Sequence, residues 1–232
     1  QVAILCRTNA TVSIISKYLQ TPHKIFNETE LDKDTSESGR FFRDLISSRF
    51  DDSVFAVDYA EKLFSEEFEP QKYRTVLRLC QHIFSSPIEE LRQAENEMKE
   101  LARLVCTQQI TKSSVTHLHT VLNDAQQLKN YAPALDNEIN LMTLHKSKGL
   151  EFNVVFHMDM YKWIIPNEYG GEEEHRQGLN LHYVGITRAK DACYIMNGSR
   201  RYRIKYNDFV FAEASPFLEQ PGLAERRYDV AW

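Results

Sequence analysis

The stretch INLMTLHKSKGLEF, residues 139–152, constrains this chain more than any other. Ile139, Leu141 and Thr143 alternate with Asn140, Met142 and Leu144. The run is apolar enough for a strand buried on both faces, as strands of a parallel sheet are. At its carboxyl end it breaks into a polar loop carrying His145, Lys146, Ser147 and Lys148. In open α/β sheets ligands bind outside the carboxyl ends of the strands. Gly149 lets the backbone approach a ligand closely, because no side chain stands in the way, and Glu151 sets a carboxylate beside two lysines.

The flanking sequence builds a frame for that strand. VAILCR, residues 2–7, is a buried strand with Arg7 and Asn9 at its functional end. Residues 11–19 follow as a helix facing inward with Val12, Ile15 and Leu19, and residues 23–27 as a second strand after Pro22. A β-α-β opening of this kind predicts a parallel α/β sheet. From about Thr29 the pattern becomes a polar linker and then helices, with no convincing strand before Ile139. Val57, Ala60, Phe64 and Phe68 form one stripe, and Val76, Leu79 and Ile83 a second. Ser86, Pro87 and Glu89 read as a capping box that opens a third helix, with Ile88, Leu91, Met98, Leu101 and Val105 on its buried face. A fourth stripe, Val115, Leu118, Val121 or Leu122, Ala125 and Leu128, runs to the stop at Pro133. These stripes are core. Residues 29–133 therefore read as a helical subdomain inserted into a sheet domain of residues 1–28 and 134–232.

After the second sheet segment, residues 154–158 continue as a strand, and residues 159–178 as a surface loop with an acidic cluster. LNLHYVGITRAK, residues 179–190, is apolar almost all round and predicts a buried helix. One more strand over residues 191–197 and a short element RYRIKY, residues 201–206, complete the chain.

Bulk properties exclude rather than choose. A length of 232 residues gives one large domain or two small ones, enough for a real core. A net charge of −5 leaves nucleic-acid binding to a local patch, because steering depends on where charge sits. Cys6, Cys80, Cys106 and Cys193 lie far apart without ligand spacing, so free thiols in a reducing cytoplasm are expected. No run approaches the ~18 apolar residues of a membrane span, and the start carries no secretion signal. The chain opens in mid-strand at Gln1, which reads as a piece of something longer.

Arg188 ends the apolar helix beside Thr187 and Lys190. A guanidinium cannot shed its charge and must find an anion. An intramolecular carboxylate and a transferring phosphate both satisfy that requirement. Thr143, His145, Lys146, Lys148 and Glu151 read equally as a solvated polar loop or as a ligand loop. RRYRIKY mixes cations and aromatics as single-strand binders do, or forms a basic hairpin on an acidic surface. Neither a GxxxxGK[ST] phosphate loop nor an apolar strand ending in Asp-Glu is present, so the chain alone is not expected to hydrolyse a nucleotide. The eight histidines are dispersed, with no metal-ligand spacing and no metal site expected.

With these residues in view, INLMTLHKSKGLEF resembles motif V of the UvrD/Rep superfamily 1 DNA helicases, LHYVGITRAK their motif VI, and VAILCRTNA their motif IVa. The order of the blocks and the helical insertion resemble the second RecA-like domain (2A) with its inserted 2B subdomain. The resemblance implies an α/β fold with a RecA-like parallel sheet flanked by helices, lacking its own phosphate loop. It also implies that Arg188 contacts the γ-phosphate of ATP held between two RecA-like domains, with Gly149 and Glu151 on the same nucleotide and Glu151 on its sugar. Arg7, Asn9, Thr143 and His145 stand where the family contacts single-stranded DNA. The implied cofactors are ATP and Mg2+, the metal held mainly by domain 1A. The implied partners are single-stranded DNA or a junction with duplex, domains 1A and 1B of the same protein, and a nuclease subunit. Three departures qualify the match. Cys6 replaces a common aromatic residue, leaving one stacking contact without support. The acidic-arginine run before motif VI is shifted in EEEHRQGLN, so no role carries to Glu172, Glu173 or Glu174. The insertion is about half the usual size, which resembles compact UvrD-like helicases such as the helicase subunit of the Gabija anti-phage system. The expectation is the C-terminal motor half of a cytoplasmic helicase or translocase. Its rival is a helicase-like fold that has lost its motor and survives as a DNA-binding or docking module.

Overall fold

The computed structural model describes residues 1–167, 170–203 and 206–230. Glu168 and Tyr169 of the expected surface loop, and Ile204 and Lys205 of the RYRIKY run, lie outside the described residues. The chain separates into two compact units, Gln1–Asn27 with Ala134–Trp232, and Glu28–Pro133.

The sheet unit opens with strand β1 (Val2–Cys6). Successive side chains of a strand point to opposite faces, and here both faces are apolar. Ala3 and Leu5 enter one core cluster while Ile4 and Cys6 enter another. Thr8 ends the strand and caps helix α1 (Asn9–Tyr18), its hydroxyl accepting from Thr11 N at 3.2 Å. Such a cap is worth about 1 kcal/mol. Val12 and Ile15 pack α1 on the Ile4 side, and β2 (His23–Phe26) returns.

The helical unit has its own core. Helix α2 (Glu30–Lys33) is opened by a capping box of Thr29 and Asp32. Helix α3 (Glu37–Arg49), capped by Ser36, buries Phe41, Phe42, Leu45 and Ile46. Helices α4 (Ala56–Leu63) and α5 (Pro70–Ser85) follow, the second with proline in its first turn, where no intrahelical donor is lost. A 3-10 segment (Ile88–Ala94) leads into α6 (Glu95–Val105). Helices α7 (Lys112–Asn123) and α8 (Ala125–Lys129) close the unit.

Chain return at β3 (Ile139–Thr143) restores the sheet, followed by β4 (Phe152–His157), helix α9 (Glu172–Thr187) and β5 (Ala189–Ile195). The five strands run in the order β2-β3-β1-β4-β5, every pair parallel. Leu181 brings α9 onto the Leu5 face, opposite α1. The expected α/β parallel sheet flanked by helices is therefore present. Strands β6 (Arg200–Arg203) and β7 (Asp208–Phe211) form a separate antiparallel hairpin. Among the described residues no helix is long and apolar enough to cross a membrane. The four cysteines are free, and burial pushes the Cys80 and Cys193 thiols up to about 12 and about 11.

Several local expectations fail for physical reasons. Ser86 does not open a helix; it closes α5, its hydroxyl donating to His82 O at 2.8 Å, and Glu90 N bonds Pro87 O in a 3-10 turn. Phe68 lies beyond α4 and is 80% exposed, and Val57 is exposed as well, so of the first stripe only Ala60 and Phe64 join the core. The fourth stripe is two helices, because Asp124 accepts from Gln126 N and Gln127 N and restarts the helix. Helix α9 begins at Glu172, inside the stretch read as loop, and is buried on one face only, with Tyr183 exposed. Its register is set by Gly178, Leu181, His182 and Gly185, a 3–4 spacing that the neighbouring apolar residues mask.

Candidate functional site

At the carboxyl edge of the sheet, β1 lies between β3 and β4 and fixes both exits. Leu144 N donates to Cys6 O at 2.8 Å and Met158 N to Leu5 O at 2.9 Å. Asp159 then turns back with φ of 65° and accepts from Arg7 N at 2.8 Å and from the Thr11 hydroxyl at 3.4 Å. Burial raises its carboxyl above the usual range, against the pull of those bonds and of Arg201 and Arg7. The Arg7 guanidinium reaches His145, with Nη1 3.3 Å from Nε2. A guanidinium only donates, so Nε2 accepts. Asn9 is exposed at the start of α1. Thr143 differs from the others: it is buried, and its hydroxyl accepts from Lys146 N at 3.2 Å.

The loop after β3 leaves this edge and crosses to the other. Ser147 N bonds Thr143 O at 3.1 Å and Leu150 N bonds Ser147 O at 3.0 Å, so the crossing is made of tight turns. Gly149 has φ of 84°, a conformation L side chains rarely adopt, and open space where a Cβ would stand.

The amino edge gathers the remaining predicted residues. Phe152 N donates to Arg188 O at 2.8 Å and pairs with Ala189, so Arg188 sits where β5 begins, beside the start of β4. Its guanidinium donates to Leu150 O (2.9 Å), Val184 O (3.3 Å) and the Thr187 hydroxyl (3.3 Å). Among the described residues no carboxylate pairs with it. Glu151 meets Lys190 at 3.3 Å, both side chains exposed. The expectation of one ligand loop at the carboxyl end of the strand is thus corrected: Arg7, Asn9 and His145 share the carboxyl edge, Gly149, Glu151 and Arg188 the amino edge. A strand has two ends, and α9 returns the chain to the far one. Open backbone at Gly149 and the neutral acceptors around Arg188 leave this edge able to take an anionic ligand. Among the described residues no group of three or more His, Cys, Asp or Glu could hold a metal ion.

The residue reading missed Asp159 and a buried histidine pair. His157 Nδ1 lies 3.1 Å from Met158 O, and His182 Nδ1 lies 3.3 Å from His157 Nε2. A histidine following an apolar strand run, as in VVFH, is the signal that was available. Burial holds both rings down at about 4, and at His157 the neighbouring His182 ring lowers the value further. The unfolded chain therefore binds more protons between the ordinary value of 6.5 and about 4. The pair's full contribution is present above pH 6.5 and is lost as the pH falls towards 4. Urea unfolding should show a loss on the order of 2–4 kcal/mol by pH 5, flattened in a His157→Leu/His182→Leu variant. A pH-independent midpoint across that window would refute it.

Residues 55–199 match the UvrD-like helicase C-terminal domain family. The chain is 31% identical over 169 residues to the ATP-dependent DNA helicase Rep of Salmonella typhimurium, covering 72% of this chain and 23% of that protein. It is 29% identical over 169 residues to Rep of Escherichia coli, with the same coverage of 72% and 23%. Over 65 residues, 27% of this chain and 9% of the relative, it is 45% identical to the ATP-dependent DNA helicase PcrA of Bacillus subtilis. The chain thus spans about a quarter of the length of the Rep proteins it matches. With a parallel sheet of the RecA-like kind and a family match across most of its length, the chain belongs to the UvrD-like helicase C-terminal domain family.

Proposed function

We propose that this chain is the C-terminal motor half of an ATP-dependent DNA helicase or translocase that moves on single-stranded DNA. The sheet unit acts as the second RecA-like domain and residues 28–133 as a reduced inserted subdomain. One observation carries the reading: a single loop, residues 144–151, begins beside Arg7 and His145 and ends beside Arg188. A ligand at either end of so short and tightly turned a loop is felt at the other.

On this reading the partner RecA-like domain supplies the phosphate loop and the magnesium ligands, and ATP binds between the two domains. Closure draws the Arg188 guanidinium off Leu150 O and onto the γ-phosphate. Gly149 admits the nucleotide, and the Glu151 carboxylate takes its sugar hydroxyl in place of Lys190. At the carboxyl edge Arg7, Asn9 and His145 hold the DNA backbone, and buried Thr143 shapes the turn beneath them. Release of Arg188 after hydrolysis lets the loop relax and the grip shift.

The test is ATP turnover by the full-length protein with and without a single-stranded oligonucleotide. Turnover should rise with DNA, and Arg7→Ala should weaken DNA binding about tenfold, as loss of a charge-assisted contact does. It should also flatten the salt dependence by about 0.7 in log–log slope, the share of one phosphate on a single strand. Turnover indifferent to DNA would favour the docking-module reading instead.

A further inference from the structure

We propose that His157 and His182 are a positioning pair that couples the helix bearing Arg188 to the turn holding Arg7. The proposal rests on the roles given to Arg188 and Arg7 above and adds the element that links them.

The hydrogens on the pair follow from its neighbours. A carbonyl only accepts, so His157 Nδ1, 3.1 Å from Met158 O, carries the proton and leaves Nε2 bare. His182 Nδ1, 3.3 Å from that bare nitrogen, must then donate. The direction runs from α9 through His182 to His157 and on to the Met158 carbonyl at the carboxyl edge. His182 Nε2 is left as a buried acceptor with no partner.

Packing gives this chain of bonds mechanical force. His157 is 0% and His182 3% exposed. A Cβ on Gly185 would meet His157 Cδ2 at 2.4 Å and Nε2 at 2.6 Å, so the backbone of α9 rests directly on the ring. Gly185 lies on the last turn of α9, just before Arg188. Past the ring, Met158 is bonded to Leu5, and Asp159 receives both the Arg7 backbone and the Thr11 hydroxyl. A close-packed interior transmits such a displacement instead of absorbing it. The helix that carries the amino-edge arginine thus abuts the turn that sets the carboxyl-edge one.

Stability alone does not account for the pair. Two buried imidazoles give one hydrogen bond between them and orphan the His182 Nε2, whereas a leucine at 182 removes that orphan and leaves His157 Nε2 without its donor, so the count of unmet nitrogens does not change. A purely structural role and a coupling role therefore predict opposite orders for two substitutions. Asparagine places an amide N–H near the His182 Nδ1 position and keeps the donor, but fills the site poorly. Leucine fills it and loses the donor.

The experiment uses the full-length protein, an oligo-dT strand and a non-hydrolysable ATP analogue. The readout is the ratio of DNA affinities with and without the analogue, alongside urea stability. His182→Leu should stay close to the parent in stability, because it fills the site and exchanges one orphaned nitrogen for another, and should lose about fivefold or more of that ratio. His182→Asn should be less stable, yet keep the ratio within about twofold. A ratio that follows stability, kept by leucine and lost by asparagine, overturns the coupling role. Arg188→Ala in the same assay separates the two readings. Normal ATP turnover in that variant overturns the motor assignment itself, whereas lost turnover with an unchanged His182→Leu ratio overturns the histidine pair alone.

Discussion

Replacing Arg188 with alanine in the full-length protein should lower DNA-stimulated ATP turnover by about 10³-fold or more, the worth of an arginine on a transferring phosphoryl group. Single-strand affinity should stay within about twofold, because Arg188 stands at the amino edge of the sheet and the residues proposed to hold DNA, Arg7 and His145, at the other. The arginine is held ready rather than locked. Its donors rest on two carbonyls and a hydroxyl, all neutral, so a phosphate outcompetes them without breaking an ion pair. Arg188→Lys should recover little of the loss, since an ammonium keeps the charge and loses the planar fork. Steady-state turnover measured beside DNA titrations decides it. Unchanged turnover in the alanine variant would sink the assignment, and a matching fall in DNA affinity would mean that the edges are not separate.

The largest effect on stability is expected at Phe42. Its ring is fully buried on α3, edge-on to Phe41 at 6.0 Å, in the cluster that also holds Leu45, Ile46, Tyr59 and Leu79. Phe42→Ala removes the ring and leaves a cavity that helices α3 and α5 cannot fully close, a change that costs about 3–5 kcal/mol. Urea unfolding followed by helical circular dichroism is the measurement. A loss below about 1 kcal/mol would mean that the helical unit collapses around the gap and that its core lies elsewhere.

Helix α3 is also where the residue pattern was least legible. Phe41, Phe42, Leu45 and Ile46 repeat at helical spacing, but Arg43 and Asp44 between them and the serines on either side give the stretch the look of a linker. Strands β1, β3 and β4 were legible because both faces of a parallel strand are apolar, which leaves little room for another reading. Helix α9 was half legible. Its apolar residues announced a helix, but its burial depends on which of them turn inward, and only Gly178, Leu181, His182 and Gly185 are covered, Gly178 by Pro166 and Phe217 and Gly185 by His157. Ser86, Pro87 and Glu89 had the composition of a capping box, yet the preceding helix claimed the serine first. A cap is a competition between neighbouring carbonyls and amides that spacing does not resolve.

The candidate site divides the same way. Local chemistry singled out Arg7, His145, Gly149, Glu151 and Arg188, because an arginine that must find an anion and a glycine at a strand end are visible one residue at a time. Asp159, which holds Arg7 by its backbone, and the His157–His182 pair were not visible, because each acts through a partner more than 20 positions away. By itself the sequence determined that the chain makes a parallel sheet with a helical insertion and which side chains have chemistry to offer, since periodicity and side-chain type are local. Only the tertiary structure decided that those side chains occupy two opposite edges joined by one loop. A strand's direction is set by its neighbours in the sheet, so the edge on which its ends emerge is a property of the packing and not of the strand.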